Sequence, residues 1–474
     1  MKGTLAAGAA VTLPKMANAA IRGANEDIRF AVVGVGSQGS NHCNIFSKLK
    51  GVRLVAVCDA DQDHADSRVN DFKKQGITVK GYTDVRKLLE NKEIDAISSA
   101  TPNHWHSLVT IWACQAGKDV YIEKPVSHNI WEGRKMIEAA RKYNRIVQTG
   151  TQKRSSGAHK EAFEYMNQGN IGKILWVRGL CHRLRNSIGQ VKGPQPIPAS
   201  IDYNKWCGPS AYTPLRRKKL HYDWHWDFET GNGDIGNQGI HEMDLCRWVL
   251  GQQKLAPRIW SFGGRFGYVD DANTPNTLVT FMDYKPVPLI FEVRGLPRSK
   301  TVNARCLYRG IDVGVVVQCE GGYFAAGNAG GWIYDNNGKK MKQYPGDGGR
   351  GHHANFIKAV RSRKVSDLNA DIVEGHLSSA LCHMGDISYR IGNQSSPDEI
   401  KKACSGNPEM MDSFERFMKH LTIHDVDFNA TPAVLGPMLT MDTNTEKFVG
   451  EHSFNANMYL KRNYRREFEV PEKV

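Results

Sequence analysis

The sequence has little of what marks disulfide-rich, zinc-binding or membrane-spanning proteins. Its ten cysteines are scattered inside apolar runs, without a C-x-x-C pair or a His/Cys cluster at zinc spacing. This pattern is typical of small core residues, and not of a disulfide scaffold or a structural zinc site. No segment is both apolar enough and long enough to span a bilayer, and no internal repeat occurs. We therefore predict a globular protein with no metal and no transmembrane segment.

Acidic residues are fewer than basic ones. The chain has 49 Asp and Glu against 63 Lys and Arg, which gives a formal net charge of +14. The basic residues are spread along the chain without a zinc-finger or recognition-helix pattern, so we predict no nucleic-acid partner. An attraction for anionic ligands or envelope surfaces is the milder interpretation. With 474 residues, 40% of them hydrophobic, the chain can form two or three ordinary domains.

Residues 1–26 predict a leader segment. Lys2 precedes a short apolar run of small residues, and Ala17-Asn18-Ala19 resembles an A-x-A cleavage site. The segment resembles the second half of a twin-arginine (Tat) export signal, whose Arg-Arg pair we expect upstream of Met1. We therefore predict an exported, periplasmic protein. The alternative is a cytoplasmic protein with a disordered N-terminus.

Short β-rich apolar runs alternate with amphipathic stretches between residues 27 and 150. This alternation predicts a parallel, doubly wound sheet. Its predicted strands are Ile28–Val33, Leu54–Val57, Ala96–Ala100, Val120–Ile122 and Ile146–Gln148. Over residues 151–425, extended runs with few helices predict an α+β domain with a mostly antiparallel sheet. Residues 426–474 are polar and turn-rich, and we expect them to wrap the surface.

The first predicted strand runs directly into a G-x-G-x-x-G turn, Gly34-Val35-Gly36-Ser37-Gln38-Gly39, that opens a predicted helix. The glycines permit a tight turn and let a pyrophosphate approach the helix N-terminus. The next strand ends in Asp59, where a carboxylate can accept hydrogen bonds from the adenosine ribose hydroxyls. The turn therefore predicts dinucleotide binding. Asp59 favours NAD over NADP, because its charge would repel a 2′-phosphate.

Two further loops follow strands of the same predicted sheet. Thr101-Pro102-Asn103 leads to His106, and Glu123-Lys124-Pro125 follows the strand Val120–Ile122. Ligands of open α/β sheets bind beyond the carboxyl ends of the strands, so we expect both loops to line one crevice with the cofactor. Burial there can lower the pKa of Lys124 enough for it to donate or relay a proton. The alternative is a surface lysine paired with Glu123.

The second half of the chain offers the other wall of such a crevice. A glycine-rich loop at residues 231–239 leads into a predicted helix, on which His241 and Asp244 share a face. A pair at the helix start is the structural alternative. The aromatic faces of Trp224 and Trp226 suit the C–H faces of a sugar ring, although such clusters are more often part of a core.

Four motifs in this order resemble those of the Gfo/Idh/MocA oxidoreductases. They are the glycine-rich turn, Thr101-Pro102-Asn103 with His106, Glu123-Lys124-Pro125 and His241-x-x-Asp244. This family includes glucose-fructose oxidoreductase and inositol 2-dehydrogenase, and the resemblance covers about residues 27–395. It implies a Rossmann domain plus an α/β domain with an open, mainly antiparallel sheet. It also implies a homo-oligomer, a dimer or tetramer, that forms through this sheet.

The resemblance also implies roles for single residues. Lys124 would touch both nicotinamide and the reacting hydroxyl, with a cis bond to Pro125, and His241 would take the hydroxyl proton. Gln152 would approach the nicotinamide, and Arg154, Asn237 and Asp244 would contact the substrate. A structural hinge is the alternative for residues 150–154. Family members that oxidise sugars and inositol commonly carry Asp four residues before the histidine. Here Asn237 stands at that position, so the proton relay must differ in detail.

We therefore predict an NAD(H)-dependent oxidoreductase acting on a secondary hydroxyl of a sugar, glycoside or polyol. A 3-keto product is implied by the resemblance alone, and export predicts a tightly bound, recycled cofactor. Two alternatives stay open. One is an NAD-recycling glycosidase that works by oxidation and elimination, and the other is a catalytically silent dinucleotide-binding protein.

Overall fold

The structure, a computed structural model, describes residues 27–474, so the predicted leader lies outside the described residues. The N-terminal domain contains a six-stranded, wholly parallel sheet with the strand order β3-β2-β1-β4-β5-β6. Its central strands are buried on both faces, as expected for a sheet with helices on either side. The strands are β1 Ile28–Val33, β2 Val52–Cys58, β3 Lys80–Tyr82, β4 Ala96–Ser99, β5 Asp119–Ile122 and β6 Val147–Thr149.

Five helices connect these strands and complete a Rossmann domain. They are α1 Ser37–Phe46, α2 Gln62–Lys74, α3 Val85–Leu89, α4 His106–Gln115 and α5 Ile130–Lys142. Side chains cap several of them: Asp61 accepts from the backbone N–H of Asp63 at α2, and Asn129 accepts from that of Glu132 at α5. Such caps satisfy N–H groups that have no partner within the helix. The predicted doubly wound sheet is confirmed.

The second domain is built on a larger, mostly antiparallel sheet, in which only β7 and β10 pair in parallel among the described residues. The main path of the sheet is β14-β13-β12-β11-β7-β10-β9-β8-β16-β15, with β17 beside β8 and β18 beside β17. The first strands are β7 Ile174–Cys181, β8 Arg258–Gly264, β9 Thr277–Met282, β10 Leu289–Arg294, β11 Val313–Cys319 and β12 Gly322–Gly327. The others are β13 Gly330–Asp335, β14 Lys340–Pro345, β15 Asn393–Ser395, β16 Ala433–Leu435, β17 Leu439–Asp442 and β18 Lys447–Val449. The predicted α/β fold with a mainly antiparallel second sheet is confirmed.

Helices cover both faces of this sheet. In chain order they are α6 Gly157–Asn167, α7 Tyr203–Cys207, α8 Leu220–Asp223, α9 Gly233–Asn237, α10 Gly239–Val249, α11 His352–Ser362, α12 Ile372–Arg390, α13 Pro397–Cys404, α14 Pro408–Ile423 and α15 Ser453–Asn457. Helices α6, α10 and α12 form one core with the sheet, and α13 and α14 form another. Helix α11 instead returns to the Rossmann domain, where Phe356 packs against Phe30 and Phe46.

The C-terminal segment, residues 426–474, differs from the predicted surface wrapping. Its strand β16 pairs with both β8 and β15, and β17 pairs with β8, so part of the segment belongs to the second sheet. Further on, Phe468 and Val470 are buried in the core of the Rossmann domain. The segment therefore contributes to both domains. Over residues 27–474, no helix has the length and apolar character needed to cross a bilayer.

Candidate active site

A cleft of about 1380 Å³ lies between the two domains. On the Rossmann side it is lined by the glycine-rich turn and by the loops that follow β2, β4 and β5, all at the carboxyl ends of parallel strands. Ligands of open α/β sheets bind at this edge. On the other side, the second domain supplies residues from the segments around Arg183, His221 and Asn237. The two loops predicted to share a crevice with the glycine-rich turn do line one cleft with it.

The turn between β1 and α1 is shaped by close backbone approach. A Cβ atom on Gly34, whose φ is +75°, would lie 2.7 Å from the backbone N of Thr101. A Cβ on Gly39 would lie only 1.7 Å from the carbonyl O of Gly34. Helix α1 begins at Ser37 with no side chain capping its first N–H groups. A free helix N-terminus behind a tight glycine turn fits a dinucleotide pyrophosphate.

Asp59, at the end of β2, is held beside this turn. Its carboxylate accepts hydrogen bonds from the backbone N–H of Val35 at 2.8 Å and of Asp61 at 3.0 Å. The imidazole of His64 lies 3.6 Å away, and a hydrogen bond to Asp59 raises the pKa of His64 against the effect of burial. Asp59 also lines the cleft. Its position fits recognition of the adenosine ribose, and its charge disfavours a 2′-phosphate.

Lys124 projects into the cleft from the loop after β5. Its Nζ donates to the backbone O of Asn237 at 2.9 Å and lies 3.5 Å from the Oδ1 of the same residue. Burial lowers the pKa of Lys124, and the neighbouring Glu123 carboxylate acts in the opposite sense. The Lys124–Pro125 bond is cis, as the resemblance implied. Lys124 is therefore a cleft lysine bound to the second domain, and not a surface lysine.

Glu123 is buried beneath the glycine-rich turn. Its Oε1 is 3.0 Å from Nε2 of His42 and accepts from Nε2 of Gln38 at 3.2 Å. Burial alone would raise the pKa of Glu123, but the hydrogen bond and charge of His42, with Lys124, hold it well below its usual range. Glu123 is thus a fixed negative charge beside the amine of Lys124, and it favours the protonated form of that amine.

His241, in the first turn of α10, lines the same cleft. Its Nδ1 is buried and has no hydrogen-bond partner within residues 27–474. Burial, and then the positive charge of Lys124, hold the pKa of His241 well below its ordinary value. The imidazole is therefore neutral at neutral pH, in the form that can accept a proton.

The residue four before His241 is Asn237, whose backbone and amide oxygens both face Lys124. A carboxylate at this position would stabilise the charged forms of Lys124 and His241, whereas a neutral amide does not. The next residue, Gln238, accepts from Nη1 of Arg183 at 3.1 Å. The amides at these two positions thus connect Lys124 and Arg183 to the start of α10.

Two predicted substrate contacts, Arg154 and Asp244, do not line the cleft. Nε of Arg154 donates to Asp244 at 2.8 Å, and its Nη2 lies 2.9 Å from Glu374. Asp244 also accepts from the hydroxyl of Ser378 at 2.7 Å. Both side chains of this ion pair are almost completely buried, 8% and 1% exposed, and they neutralise each other, because an unpaired charge inside the protein would be costly. The predicted contact of these residues with substrate is therefore corrected to a structural role between α10 and α12.

Other predicted residues hold the loops instead of lining the cleft. Nδ2 of Asn103 donates to Oδ1 of Asn232 at 2.9 Å, which ties the loop after β4 to the second domain. The ring nitrogens of His106 lie 2.6 and 2.8 Å from the carbonyl oxygens of Pro125 and Thr101, so His106 connects the two Rossmann loops. Gly39 packs beneath the turn.

The remaining predicted residues divide between cleft and core. The cleft is lined by Gly34, Val35, Gly36, Ser37, Gln38, Asp59, Thr101, Pro102, Glu123, Lys124, Gln152, Trp224, Asn237 and His241. Trp226 is outside this lining, buried beneath the guanidinium of Arg185 at 5.0 Å. Of the two predicted tryptophans, only Trp224 reaches the cleft, where its ring stacks on His225 at 3.7 Å.

The second-domain wall of the cleft is strongly basic, which sequence reasoning did not assign to the site. The basic residues on it are Arg183, Arg185, Lys205, Lys218 and Lys219, and among the described residues no acidic side chain of this domain lines the cleft. Arg185 is neutralised by Asp234 at 2.6 Å. The basic pair Arg183-x-Arg185 shortly after β7 is the sequence feature that belongs to this wall. The number of charges does not reveal that these side chains face the cleft.

One cluster of potential metal ligands occurs in the part of the chain that the structure describes. Ligand atoms of Asp61, His64 and His221 lie within 4.8 Å of one another near the Asp59 end of the cleft. His221 Nε2 and Asp61 Oδ2 are 2.9 Å apart, which is an ordinary hydrogen-bond distance. This contact joins α2 of the Rossmann domain to the segment around α8 in the second domain.

Comparison with known proteins agrees with this geometry. Residues 28–151 match the family model described as "Oxidoreductase family, NAD-binding Rossmann fold", and residues 179–263 match "Oxidoreductase family, C-terminal alpha/beta domain". Fold and cleft together define a two-domain protein with an NAD-binding Rossmann domain. Both matched models are those of the Gfo/Idh/MocA oxidoreductases, so the chain is similar to this family over residues 28–151 and 179–263.

Relatives and solved structures are similar to parts of the chain. Myo-inositol 2-dehydrogenase of Thermotoga maritima is 26% identical over 48% of this chain and 56% of its own length. Inositol 2-dehydrogenase of Salmonella typhimurium is 30% identical over 36% of this chain and 50% of its own length. The chain thus spans about half the length of these curated relatives.

Among solved structures, similarity extends over both domains. The WlbA dehydrogenase of Bordetella pertussis, solved in complex with NADH and UDP-GlcNAcA, has a TM-score of 0.56 at 18% identity, covering 75% of this chain and 94% of that one. An Agrobacterium radiobacter oxidoreductase, in complex with NAD+, L-tartaric acid and magnesium, has a TM-score of 0.54 at 13% identity, covering 76% and 95%. At these identities the likeness shows the fold alone.

Proposed function

We propose that this protein is an NAD-dependent oxidoreductase that interconverts a secondary hydroxyl and a ketone on a sugar or polyol. The observation that carries the proposal is the meeting of Lys124 and His241 in one cleft with the glycine-rich turn. Burial lowers the pKa of both groups, which keeps His241 neutral and able to accept a proton and moves the pKa of Lys124 towards neutral pH. The inositol dehydrogenases among the relatives support this reaction class.

His241 and Lys124 can act together in the proton transfer. In the oxidation direction, neutral His241 accepts the proton of the substrate hydroxyl. Lys124, held by the backbone O of Asn237, donates a hydrogen bond to the same oxygen and stabilises its developing negative charge. When bound, NAD supplies the hydride acceptor, so loss of the proton and the hydride leaves a ketone. Trp224 and His225 provide an aromatic wall for the C–H faces of the ring.

Export, cofactor retention and assembly complete the proposal. We infer a periplasmic protein from the leader-like residues 1–26. A protein outside the nicotinamide supply of the cytoplasm would have to keep its cofactor, so we expect NAD to co-purify with it. We also expect a homo-oligomer that forms through the second-domain sheet, testable by light scattering of the purified protein.

The central experiment measures reduced-nicotinamide absorbance when the purified protein and NAD meet a panel of polyols, free sugars and glycosides. We expect NADH to form in proportion to substrate oxidised. Replacing Lys124 with Ala should reduce kcat/KM by about 10²–10⁴-fold. An unchanged rate in Lys124→Ala would contradict the role of Lys124, and the absence of NADH with every substrate of the panel would favour a silent dinucleotide-binding protein. Release of the aglycone from a nitrophenyl glycoside without net NADH would instead favour the NAD-recycling glycosidase.

A further inference from the structure

A second cavity, of about 730 Å³, lies apart from the glycine-rich turn and is lined by residues of both domains and of the C-terminal segment. The loop before α10 lines both spaces: Asn232 faces this cavity, and Asn237 faces the cleft. We call this space the Asp386 cavity. The proposed reaction uses none of its side chains.

Helix α12 presents polar side chains to the Asp386 cavity. His383, Asp386 and Arg390 stand at helical spacings of three and four and all line it. Asp386 is 4% exposed, and neither of its carboxyl oxygens has a hydrogen-bond partner among the described residues. Nε2 of His383 is also buried without one. Buried polar groups are normally hydrogen-bonded, so these atoms lack partners that a polar ligand could supply.

Two arginines face the same space, the largely buried Arg462 and the exposed Arg390, and neither donates a hydrogen bond to a carboxylate of the described residues. Arg462 donates Nη2 to the carbonyl O of Glu229, but its Nε and Nη1 are buried and unpartnered within residues 27–474. The nearest carboxylate oxygen to Nη1 is that of Glu229, at 3.7 Å. Arg390 lies over the rings of Phe228 and Tyr459, at 4.6 and 4.1 Å, and forms no ion pair with a described residue.

The donors and acceptors of the cavity indicate the chemical class of its ligand. Burial raises the pKa of Asp386, which favours the protonated carboxyl group, a form that can both donate and accept a hydrogen bond. Burial lowers the pKa of His383 to about 3, so its imidazole is neutral. Acidic Glu229 and Glu469 line the cavity together with the two arginines, so the ligand is indicated by the unpartnered N–H donors of Arg462 and not by an excess of charge. A carboxylate is the acceptor that a guanidinium binds most strongly.

We propose that the Asp386 cavity binds a small hydroxylated carboxylate of the sugar-acid class. Its carboxylate would lie against Arg390 and Arg462, and its hydroxyl groups would bond to Asp386 and His383. Because Arg462 belongs to the C-terminal segment, bound ligand would fasten that segment to α12. This site is separate from the cleft, so occupation of the cleft by NAD should not prevent binding.

The test is calorimetric titration of the full chain, saturated with NAD, with three probes at matched ionic strength. D-gluconate carries both hydroxyls and a carboxylate, D-glucitol has the hydroxyls without the charge, and acetate has the charge without the hydroxyls. We expect D-gluconate to bind and the other two probes to bind at least about tenfold more weakly. D-glucitol lacks the contacts with the arginines, and acetate lacks those with Asp386 and His383. Failure of D-gluconate to bind, or equal binding of acetate or D-glucitol, would overturn the proposal.

Variants then locate the binding. Arg390→Gln, at an exposed position where folding should be unaffected, should weaken D-gluconate binding about tenfold or more. Asp386→Leu should do the same by removing the hydroxyl partner. Lys461→Gln is the matched control: it lines the same cavity, but its ammonium is already paired with Glu472. Lys124→Ala controls for binding in the cleft. Unchanged affinity in Arg390→Gln, or lost affinity in Lys124→Ala, would refute this assignment.

Discussion

Replacing Asn237 with Asp tests the arrangement of the proton-transfer groups directly. The amide Oδ1 of Asn237 lies 3.5 Å from Nζ of Lys124, so the substitution places a carboxylate at ion-pair distance without changing side-chain shape. Two unit charges at this distance interact by about 5 kcal/mol at an effective dielectric of about 20. That value is an upper bound here, since Asn237 and Lys124 are both partly exposed to the cleft.

After allowance for screening, the new carboxylate should raise the pKa of Lys124 by about 1–3 units. The pKa of His241 should rise with it, because both groups face the same cleft. Activity requires neutral His241 and protonated Lys124. The acid limb of the pH profile follows the pKa of His241, and the alkaline limb follows that of Lys124. Both limbs should therefore move to higher pH.

The measurement is the pH dependence of kcat/KM for the best substrate of the panel. Asn237→Ala serves as the control, because it keeps the backbone carbonyl that binds Lys124 at 2.9 Å and adds no charge. Its profile should stay within about 0.3 units of that of the unmodified protein. If Asn237→Asp leaves both limbs in place, Lys124 and His241 are not the groups that titrate in the reaction.

Three further predictions concern the cofactor and the turn beside it. Asp59→Asn keeps an oxygen acceptor for the backbone N–H groups of Val35 and Asp61 but removes the negative charge. The preference for NAD over NADP in kcat/KM should therefore fall about 10–100-fold, and an unchanged preference would contradict ribose recognition by Asp59. Gly39→Ala would place Cβ 1.7 Å from a carbonyl oxygen and should lower the free energy of unfolding by about 1–3 kcal/mol in thermal or denaturant melts. Gly406→Ala, with open space around its Cβ, should change it by less than about 0.5 kcal/mol. The Kd of NAD should rise with salt, and Lys218→Gln with Lys219→Gln should flatten that dependence if the basic wall attracts the cofactor.

Elements with strong apolar patterns could be predicted from the sequence nearly residue by residue. The predicted strand Ile28–Val33 is β1 without change, because five of its six residues are buried and apolar runs of this length have few alternatives. Strand β14, by contrast, is mostly exposed and contains two lysines, so no apolar run marks it. Helix α13 was missed although Ser396 and Glu399 form a capping box at its start, a signal that is readable in the sequence.

The candidate site was predictable for a different reason, since the carboxyl ends of parallel strands meet at one edge. This rule placed Asp59, Thr101 and Lys124 together before any contact was known, and the structure brings them to one cleft. It could not place Arg154, which follows β6 but turns away from the cleft. Its partner Asp244 is 90 residues distant in the chain, and the pairing depends on how α10 packs on α12.

The hydrogen bonds distinguish the motif residues that face the cleft from those that hold its loops in place. Lys124 and His241 face the cleft, whereas His106 connects the carbonyl groups of Thr101 and Pro125, and Asn103 binds Asn232 of the second domain. Each of the two loops is therefore fixed at a point outside the cleft. Because Lys124 is bound in turn to Asn237 of the opposite domain, its amine is positioned by both domains at once. A change in the angle between the domains would move Lys124 relative to His241, so we expect loss of the Asn103–Asn232 contact to disturb the proposed proton transfer without a direct effect on substrate contacts.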